Sequence, residues 1–170
     1  IINITSNEDD QALFGVLGRF GEVKNLSVEG TITGQDNVAS IVARNLGTIR
    51  NVYSTATVTG QHNVGLITGY NKGIIDNTYS IGSVDGQTNI GGLVGLNDGQ
   101  VTSGYSSSDV FGISNVGGVI GYSDGIVAYL YYNTSRIEVS SHTNSTLVKP
   151  FRAISNVDSS LDVLGIHTND

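Results

Sequence analysis

Small or apolar residues alternate with larger or polar residues along most of this chain. Between Val52 and Val58, the even-numbered positions are Val, Ser, Ala and Val, whereas the odd-numbered positions are Tyr and Thr. A period of two is typical of a β-strand that has one buried face. The pattern therefore predicts short strands, with the even-numbered side chains of this segment pointing inward, and it does not show the period of a helix.

The pattern also repeats every 26 residues. The repeated blocks begin at Ala39, Gly65, Gly91 and Gly117 and align without a gap. An earlier block from Leu13 aligns if one residue is removed near Gly18. A repeat of this length is too short for paired helices and is typical of one coil of a β-solenoid. We expect two or three strands per coil, one of them running from Val64 to Tyr70.

The repeat predicts an all-β fold, a parallel β-solenoid of about five coils. Its approximate bounds are a partial coil at 1–12, coils at 13–38, 39–64, 65–90, 91–116 and 117–132, and an irregular segment at 133–170. Because solenoids must cover their end coils, we expect 133–170 to form a C-terminal cap or a junction to the next domain. The chain begins at Ile1 without Met and shows no signal peptide, so we expect a segment of a longer parent chain.

Two kinds of corner punctuate each repeat. One has the form Asn-x-Gly at 45–47, 71–73 and 97–99, and Ser-Asp-Gly at 123–125; we expect left-handed backbone there, which Asn and Gly tolerate. The other has the form Gly-Gln-x-Asn. Stacking in register would place identical positions above one another. The predicted columns are a structural ladder of Asn37, Asn63, Asn89 and Asn115, and a tyrosine column of Tyr53, Tyr79, Tyr105 and Tyr131.

Several of these stretches resemble a known repeat family. "GGLVGLNDGQV", "GGVIGYSDGIV" and "NVGLITGYNKGIIDNTYS" are similar to GLUG repeats of large secreted and surface-anchored bacterial proteins, and the resemblance covers about residues 13–132. It departs from the family pattern at "FGVLG" and "SIVAR" in the first copies. Such repeats occur in adhesin-like proteins and in non-catalytic regions of streptococcal IgA-cleaving metalloproteases. The resemblance implies a right-handed parallel β-helix in an extracellular setting, and it brings no defined active site.

Composition removes several classes of function. The chain has 23 Gly, one Pro and no Cys, which excludes a disulfide framework, and the plentiful Val, Ile and Leu argue against disorder. A net charge of -7 argues against a nucleic-acid partner. No apolar run approaches the roughly 20 residues of a membrane-spanning helix, so we expect no membrane insertion.

Candidate catalytic chemistry is sparse. The His-Glu-x-x-His motif of zinc metalloproteases is absent, and the three scattered histidines, His62, His142 and His167, are expected at the surface, with no metal and no cofactor. Asp85 and Asp109 are expected on the outward face of neighbouring coils, where a carboxylate pair could serve an inverting glycosidase. Solvated carboxylates without a catalytic role are the simpler interpretation.

The exposed tyrosine column is the most suggestive binding feature, because Tyr offers apolar area together with a hydroxyl. It could bind sugar rings or a protein; it could also be a stacking ladder that only covers the sheet. We predict a non-enzymatic, extracellular module at a bacterial surface or in a secreted protein, acting in adhesion or as a rigid spacer. Its expected partners are a host protein or glycan and the remaining domains of the parent chain. An accessory domain of a secreted protease or glycan-degrading enzyme is the competing prediction, and a catalytic β-helix is a third.

Overall fold

A computed structural model of the protein describes residues 1–133 in full, together with the backbone of Ile137–Val139 and Ala153–Ile154. The regular elements of these residues are β-strands. In this part of the chain there is no helix long and apolar enough to cross a membrane.

The strands form four parallel sheets, here called A, B, C and D. Sheet A contains β1 (Ile2–Thr5), β4 (Gly30–Thr33), β8 (Thr57–Thr59), β12 (Ser83–Asp85), β16 (Asp109–Gly112) and β20 (Ile137–Val139). Sheet B contains β2 (Phe14–Leu17), β6 (Val42–Asn45), β10 (Thr68–Asn71), β14 (Val94–Asn97) and β18 (Ile120–Ser123). Sheet C contains β3 (Glu22–Val28), β7 (Thr48–Ser54), β11 (Ile74–Ser80), β15 (Gln100–Ser106), β19 (Ile126–Asn133) and β21 (Ala153–Ile154). Sheet D contains β5 (Asp36–Ala39), β9 (His62–Gly65), β13 (Thr88–Gly91) and β17 (Ser114–Gly117).

Each complete coil passes through the four sheets in the order A, D, B and C. Equivalent residues of successive coils pair side by side, as Tyr53 does with Tyr79 and Tyr79 with Tyr105. These pairings confirm the predicted all-β solenoid of about five coils with a repeat near 26 residues. The predicted cap at 133–170 lies outside the described residues, except that β20 pairs with β16 and β21 with β19.

The strand predicted from Val64 to Tyr70 is wrong, because the structure divides it into β9 and β10. Leu66 and Ile67 lie between the two strands, and both are fully buried. Consecutive residues of a flat strand face opposite sides, so the backbone must turn before both side chains can enter the core. Each complete coil therefore has four short strands rather than two or three.

Two apolar clusters fill the interior, one against sheets B and C and the other against sheets A and D. Their members recur at one position of successive coils, as Ile49, Ile75 and Val101 do. The even-numbered positions from Val52 to Val58 are buried and Tyr53 is exposed, as the alternation predicts. Burying one such aliphatic side chain contributes about 1.5–3 kcal/mol, so every added coil extends a continuous core.

The first coil contains a larger insertion than the sequence predicts. Phe14 pairs with Val42, whereas Glu22 pairs with Thr48, so residues 18–21 occupy the corner that residues 46–47 occupy in the next coil. The insertion is therefore two residues and not one. The corner accommodates them because the extra chain projects outward, with Phe20 fully exposed.

Left-handed backbone lies in two columns. The first contains Asn25, Asn51, Asn77, Ser103 and Tyr129, and the second Asp10, Asn37, Asn63, Asn89 and Asn115, all with φ between 50° and 59°. Asn tolerates this conformation better than most L-residues. The left-handed backbone expected at the Asn-x-Gly corners is absent there, so that prediction is wrong.

The Asn-x-Gly corners depend instead on a buried side-chain ladder. The Oδ1 atom of Asn71 accepts the backbone N–H of Gly73 at 3.1 Å, and its Nδ2 donates to Oδ1 of Asn97 at 2.7 Å. Glycine is required two residues later because successive coils approach closely: a Cβ at Gly99 would lie 2.3 Å from the carbonyl oxygen of Gly73. The Asn side chain therefore closes the turn by a hydrogen bond, and the missing side chain of Gly allows neighbouring coils to approach closely.

Candidate functional site

The predicted asparagine ladder lies at the Gly-Gln-x-Asn corners, where sheet A passes to sheet D. Each amide Nδ2 donates to Oδ1 of the coil before it: Asn63 to Asn37 at 2.9 Å, Asn89 to Asn63 at 2.8 Å and Asn115 to Asn89 at 2.7 Å. Asn37 donates in the same way to Asp10 at 2.9 Å. The amides are half-buried and bonded to one another, so this column acts in stacking and offers few groups to a ligand.

The four tyrosines of the predicted column lie side by side on the outer face of sheet C. The rings of Tyr53 and Tyr79 are stacked, with centroids 4.7 Å apart and planes at 6°. They are 36% and 40% exposed, whereas Tyr105 and Tyr131 are half-buried. Ser27 precedes Tyr53 in the column and is too small to cover its ring. The column therefore offers one open ring face beside Ser27 and the exposed edges of two stacked rings.

Asp85 and Asp109 lie diagonally on sheet A. Asp109 pairs with Ser83, and Asp85 pairs with Phe111, so the two carboxylates occupy different columns of adjacent strands. Asp85 is exposed and Asp109 half-buried. Within the described residues no group of three or more His, Asp or Glu side chains could hold a metal ion. A catalytic role for the pair stays a prediction.

His62 lies at the start of β9 and is half-exposed, in a column with Asp36 and Thr88. The neighbouring residues of this column are not further histidines, so no imidazole pair forms there. His142 and His167 lie outside the described residues.

A groove that the sequence does not predict follows the Asn-x-Gly corner along the stack, between sheets B and C. We call it the corner groove; its volume is about 640 Å³. Its floor is Gly47, Gly73, Gly99 and Gly125. One wall is Leu46, Lys72, Asp98 and Asp124, the facing wall is Thr48, Ile74, Gln100 and Ile126, and Arg19 lies at the first-coil end. The sequence does contain the residues of one wall, because they are the middle residues of the corners at 45–47, 71–73, 97–99 and 123–125.

The polar groups of the floor are already bonded. The carbonyl oxygens of Gly47, Gly73 and Gly99 accept backbone N–H groups of the following coil at 2.8–2.9 Å. The groove therefore cannot add a β-strand to its floor, and a ligand would gain its contacts from the walls. Ile74 and Ile126 supply apolar area there, with 45% and 64% exposure.

Three charged side chains of the groove, Lys72, Asp98 and Asp124, contact tyrosines. The Tyr70 hydroxyl donates to Asp98 at 2.6 Å, and the Tyr122 hydroxyl donates to Asp124 at 3.0 Å, which raises the pKa of Tyr122. Lys72 lies 5.4 Å from the centre of the Tyr70 ring, and its hydrogen bond with Tyr70 is the main cause that raises the pKa of Lys72. These contacts hold Lys72, Asp98 and Asp124 along the wall.

Comparison with known proteins gives one informative structural likeness. The fold resembles that of a protein from Bacteroides ovatus solved as a "putative immunoglobulin A1 protease", with a TM-score of 0.62 and 17% sequence identity. The similar region covers 75% of this chain and 61% of that chain, so this chain matches less than two thirds of that protein. No protein-family model and no curated protein matches the sequence. At this identity the likeness shows a shared β-solenoid fold, and the resemblance to GLUG repeats stays a prediction.

Proposed function

We propose that this chain is a non-catalytic, extracellular β-solenoid module of a larger bacterial protein, which holds a binding face rigid for a host protein or glycan. The observation that carries the proposal is the tyrosine column. Tyr53 and Tyr79 are stacked in parallel and remain exposed, although the core of the solenoid is complete without them. Stacked aromatic side chains on a stiff sheet lose little conformational entropy when they bind.

Regular stacking supports the rigid part of this role. Five coils at about 4.8 Å per rung give a rod of about 24 Å. Neighbouring outward columns then form one long face, on which several weak contacts can add into useful affinity. Ile81, just beyond the end of the strand that carries Tyr79, is also exposed, and Phe111 is exposed on the neighbouring sheet A.

A binding screen of the whole 170-residue chain tests the proposal. The chain would be applied to a glycan array and to immobilised host surface proteins, and bound partners would be titrated by biolayer interferometry. We expect the double substitution Tyr53→Ser and Tyr79→Ser to weaken binding at least ten-fold, as for aromatic residues that dominate an interface. Gln61→Ala, at an exposed corner away from sheet C, is the matched control and should bind normally.

Circular dichroism would establish that the double variant keeps its β-sheet spectrum. The proposal fails if no partner binds the unmodified chain, or if every partner binds the folded double variant as tightly. Cleavage of an arrayed polysaccharide that Asp85→Asn abolishes would instead support the catalytic interpretation.

The likeness to the Bacteroides ovatus protein favours a second candidate, an accessory domain of a secreted enzyme. In that case the module would position a catalytic domain elsewhere in the parent chain. Sequencing the parent gene distinguishes the two candidates, because a zinc-protease motif indicates the accessory role and a cell-wall anchor indicates adhesion.

A further inference from the structure

We propose that the corner groove binds an extended polypeptide segment in the polyproline II conformation, with an acidic side chain at one end and a basic side chain at the other. This site lies between sheets B and C and does not include the tyrosine column. It therefore adds a second binding surface that is independent of the function proposed above.

The length and shape of the groove suit an extended chain. Its wall runs from Arg19 in the first coil to Asp124 in the fifth, which is four rungs or about 19 Å. The glycine floor carries no side chains that would interrupt a ligand lying along the axis. About six residues at the polyproline II rise of about 3.1 Å would cover this distance.

The charges of the wall are separated by sign. Arg19 and Lys72 lie towards the first coil, and Asp98 and Asp124 lie towards the fifth. Among the described residues, ion pairs join other charges, such as Arg50 with Glu22, and none joins these four. A ligand with an acidic group at one end and a basic group at the other would form ion pairs at both ends of the wall.

The spacing of the apolar wall residues selects the ligand conformation. Ile74 and Ile126 occupy one column two rungs apart, which is about 9.6 Å. A polyproline II segment presents the same face every three residues, or about 9.3 Å. A β-strand presents one face every two residues, or about 6.7 Å, so its side chains on that face cannot contact both isoleucines, which are about 9.6 Å apart. Proline-rich segments also lose little entropy on binding because they are already extended.

Charge complementarity favours a peptide over a polysaccharide. An acidic glycan would be attracted to Arg19 and Lys72 and repelled by Asp98 and Asp124, which occupy half of the same wall. A neutral glycan would form no ion pair with any of the four charges. A polypeptide is the common extended polymer that carries fixed charges of both signs together with apolar side chains.

Binding of blocked synthetic peptides to the whole chain tests the proposal. The probe is Glu-Pro-Pro-Ile-Pro-Pro-Ile-Arg, whose isoleucines are three positions apart and whose end charges are about 22 Å apart. Fluorescence anisotropy at low salt gives its dissociation constant. We expect it to bind about ten-fold tighter than peptides with Glu at both ends or Arg at both ends. A version with the two isoleucines two positions apart should also bind more weakly.

A charge-reversed groove supplies the decisive control. The double substitution Asp98→Lys and Asp124→Lys makes the wall basic, so we expect the mixed-charge peptide to bind about ten-fold more weakly and the doubly acidic peptide to bind more tightly. This exchange of preference could not result from unfolding. The proposal is overturned if the mixed-charge peptide binds both proteins equally, or if only an oligosaccharide responds to the double substitution. The groove proposal is also overturned if the double substitution Tyr53→Ser and Tyr79→Ser removes peptide binding. If that variant loses glycan binding but still binds the peptide, the groove proposal stands.

Discussion

The buried asparagine ladder makes a quantitative prediction about stability. Asn71 is fully buried, and its Oδ1 atom accepts two hydrogen bonds, from Nδ2 of Asn45 at 2.8 Å and from the backbone N–H of Gly73 at 3.1 Å. Replacing Asn71 with Ala removes the acceptor of both donors. A buried donor or acceptor without a partner costs about 1–3 kcal/mol, so we expect Asn71→Ala to lower the free energy of unfolding by about 4 kcal/mol.

Two further substitutions test which bonds of the ladder matter. Asn71→Ser should lose only about half as much, because Ser123 at the same position of the fifth coil accepts both the N–H of Gly125 at 3.2 Å and Nδ2 of Asn97 at 2.9 Å. The control is Asn77→Gly, since Asn77 donates at 2.8 Å in an exposed ladder and Gly retains its positive φ. We expect this control to cost less than about 1 kcal/mol.

Urea unfolding followed by circular dichroism gives these free energies from the transition midpoint and slope. A loss of about 4 kcal/mol is a large part of the 5–15 kcal/mol that stabilises a typical domain, so the Ala variant should show an obvious shift of its midpoint. If Asn71→Ala and Asn77→Gly cost the same, burial of the amide is not what makes the inner ladder stabilising. If Ser is no better than Ala at position 71, the two hydrogen bonds that the side chain accepts there do not stabilise the fold.

Three other substitutions test the close packing and the backbone of the stack by the same unfolding measurement. Gly99→Ala should cost about 2–3 kcal/mol because its Cβ would lie 2.3 Å from the Gly73 carbonyl oxygen, whereas Gly18→Ala, with nothing within 4 Å, should cost nothing. Thr78→Val should stabilise by about 1 kcal/mol, because it removes a buried hydroxyl for which no hydrogen-bond partner is found. Tyr129→Asn should stabilise by about 1 kcal/mol, since the residue has φ of 55° and a ring that is 69% exposed. Equal effects of the two Gly substitutions, or loss of stability in either of the last two variants, would contradict these explanations.

The two proposed binding surfaces were only partly predictable from the sequence. The tyrosine column follows from the repeat, because residues one period apart must stack when the coils are in register. The parallel contact between Tyr53 and Tyr79 depends on side-chain packing, and the half-burial of Tyr105 does too. The corner groove was missed because its floor is created by the approach of neighbouring coils at Gly73 and its equivalents, which no single repeat contains.

The sequence pattern also predicts the wrong backbone conformation for the Asn-x-Gly corners. Asn and Gly together suggested left-handed backbone, which is their commonest use in turns. In the structure the left-handed residues are Asn51 and Asn63 and their equivalents, whereas Asn71 contributes a buried side chain and Gly73 contributes the absence of one. Asn therefore serves in two ways, and its backbone φ and side-chain hydrogen bonds distinguish them.

The sequence by itself determined the solenoid, its period and the columns. A repeat of 26 residues with alternating inward positions can bury its apolar face only by stacking on copies of itself. Tertiary structure decided that Leu66 and Ile67 divide one strand into two, that residues 18–21 insert two residues into the first coil, and that a groove with charges of both signs runs along one corner. Those features depend on contacts between coils, since distances between the equivalent atoms of neighbouring repeats are not encoded within either repeat alone.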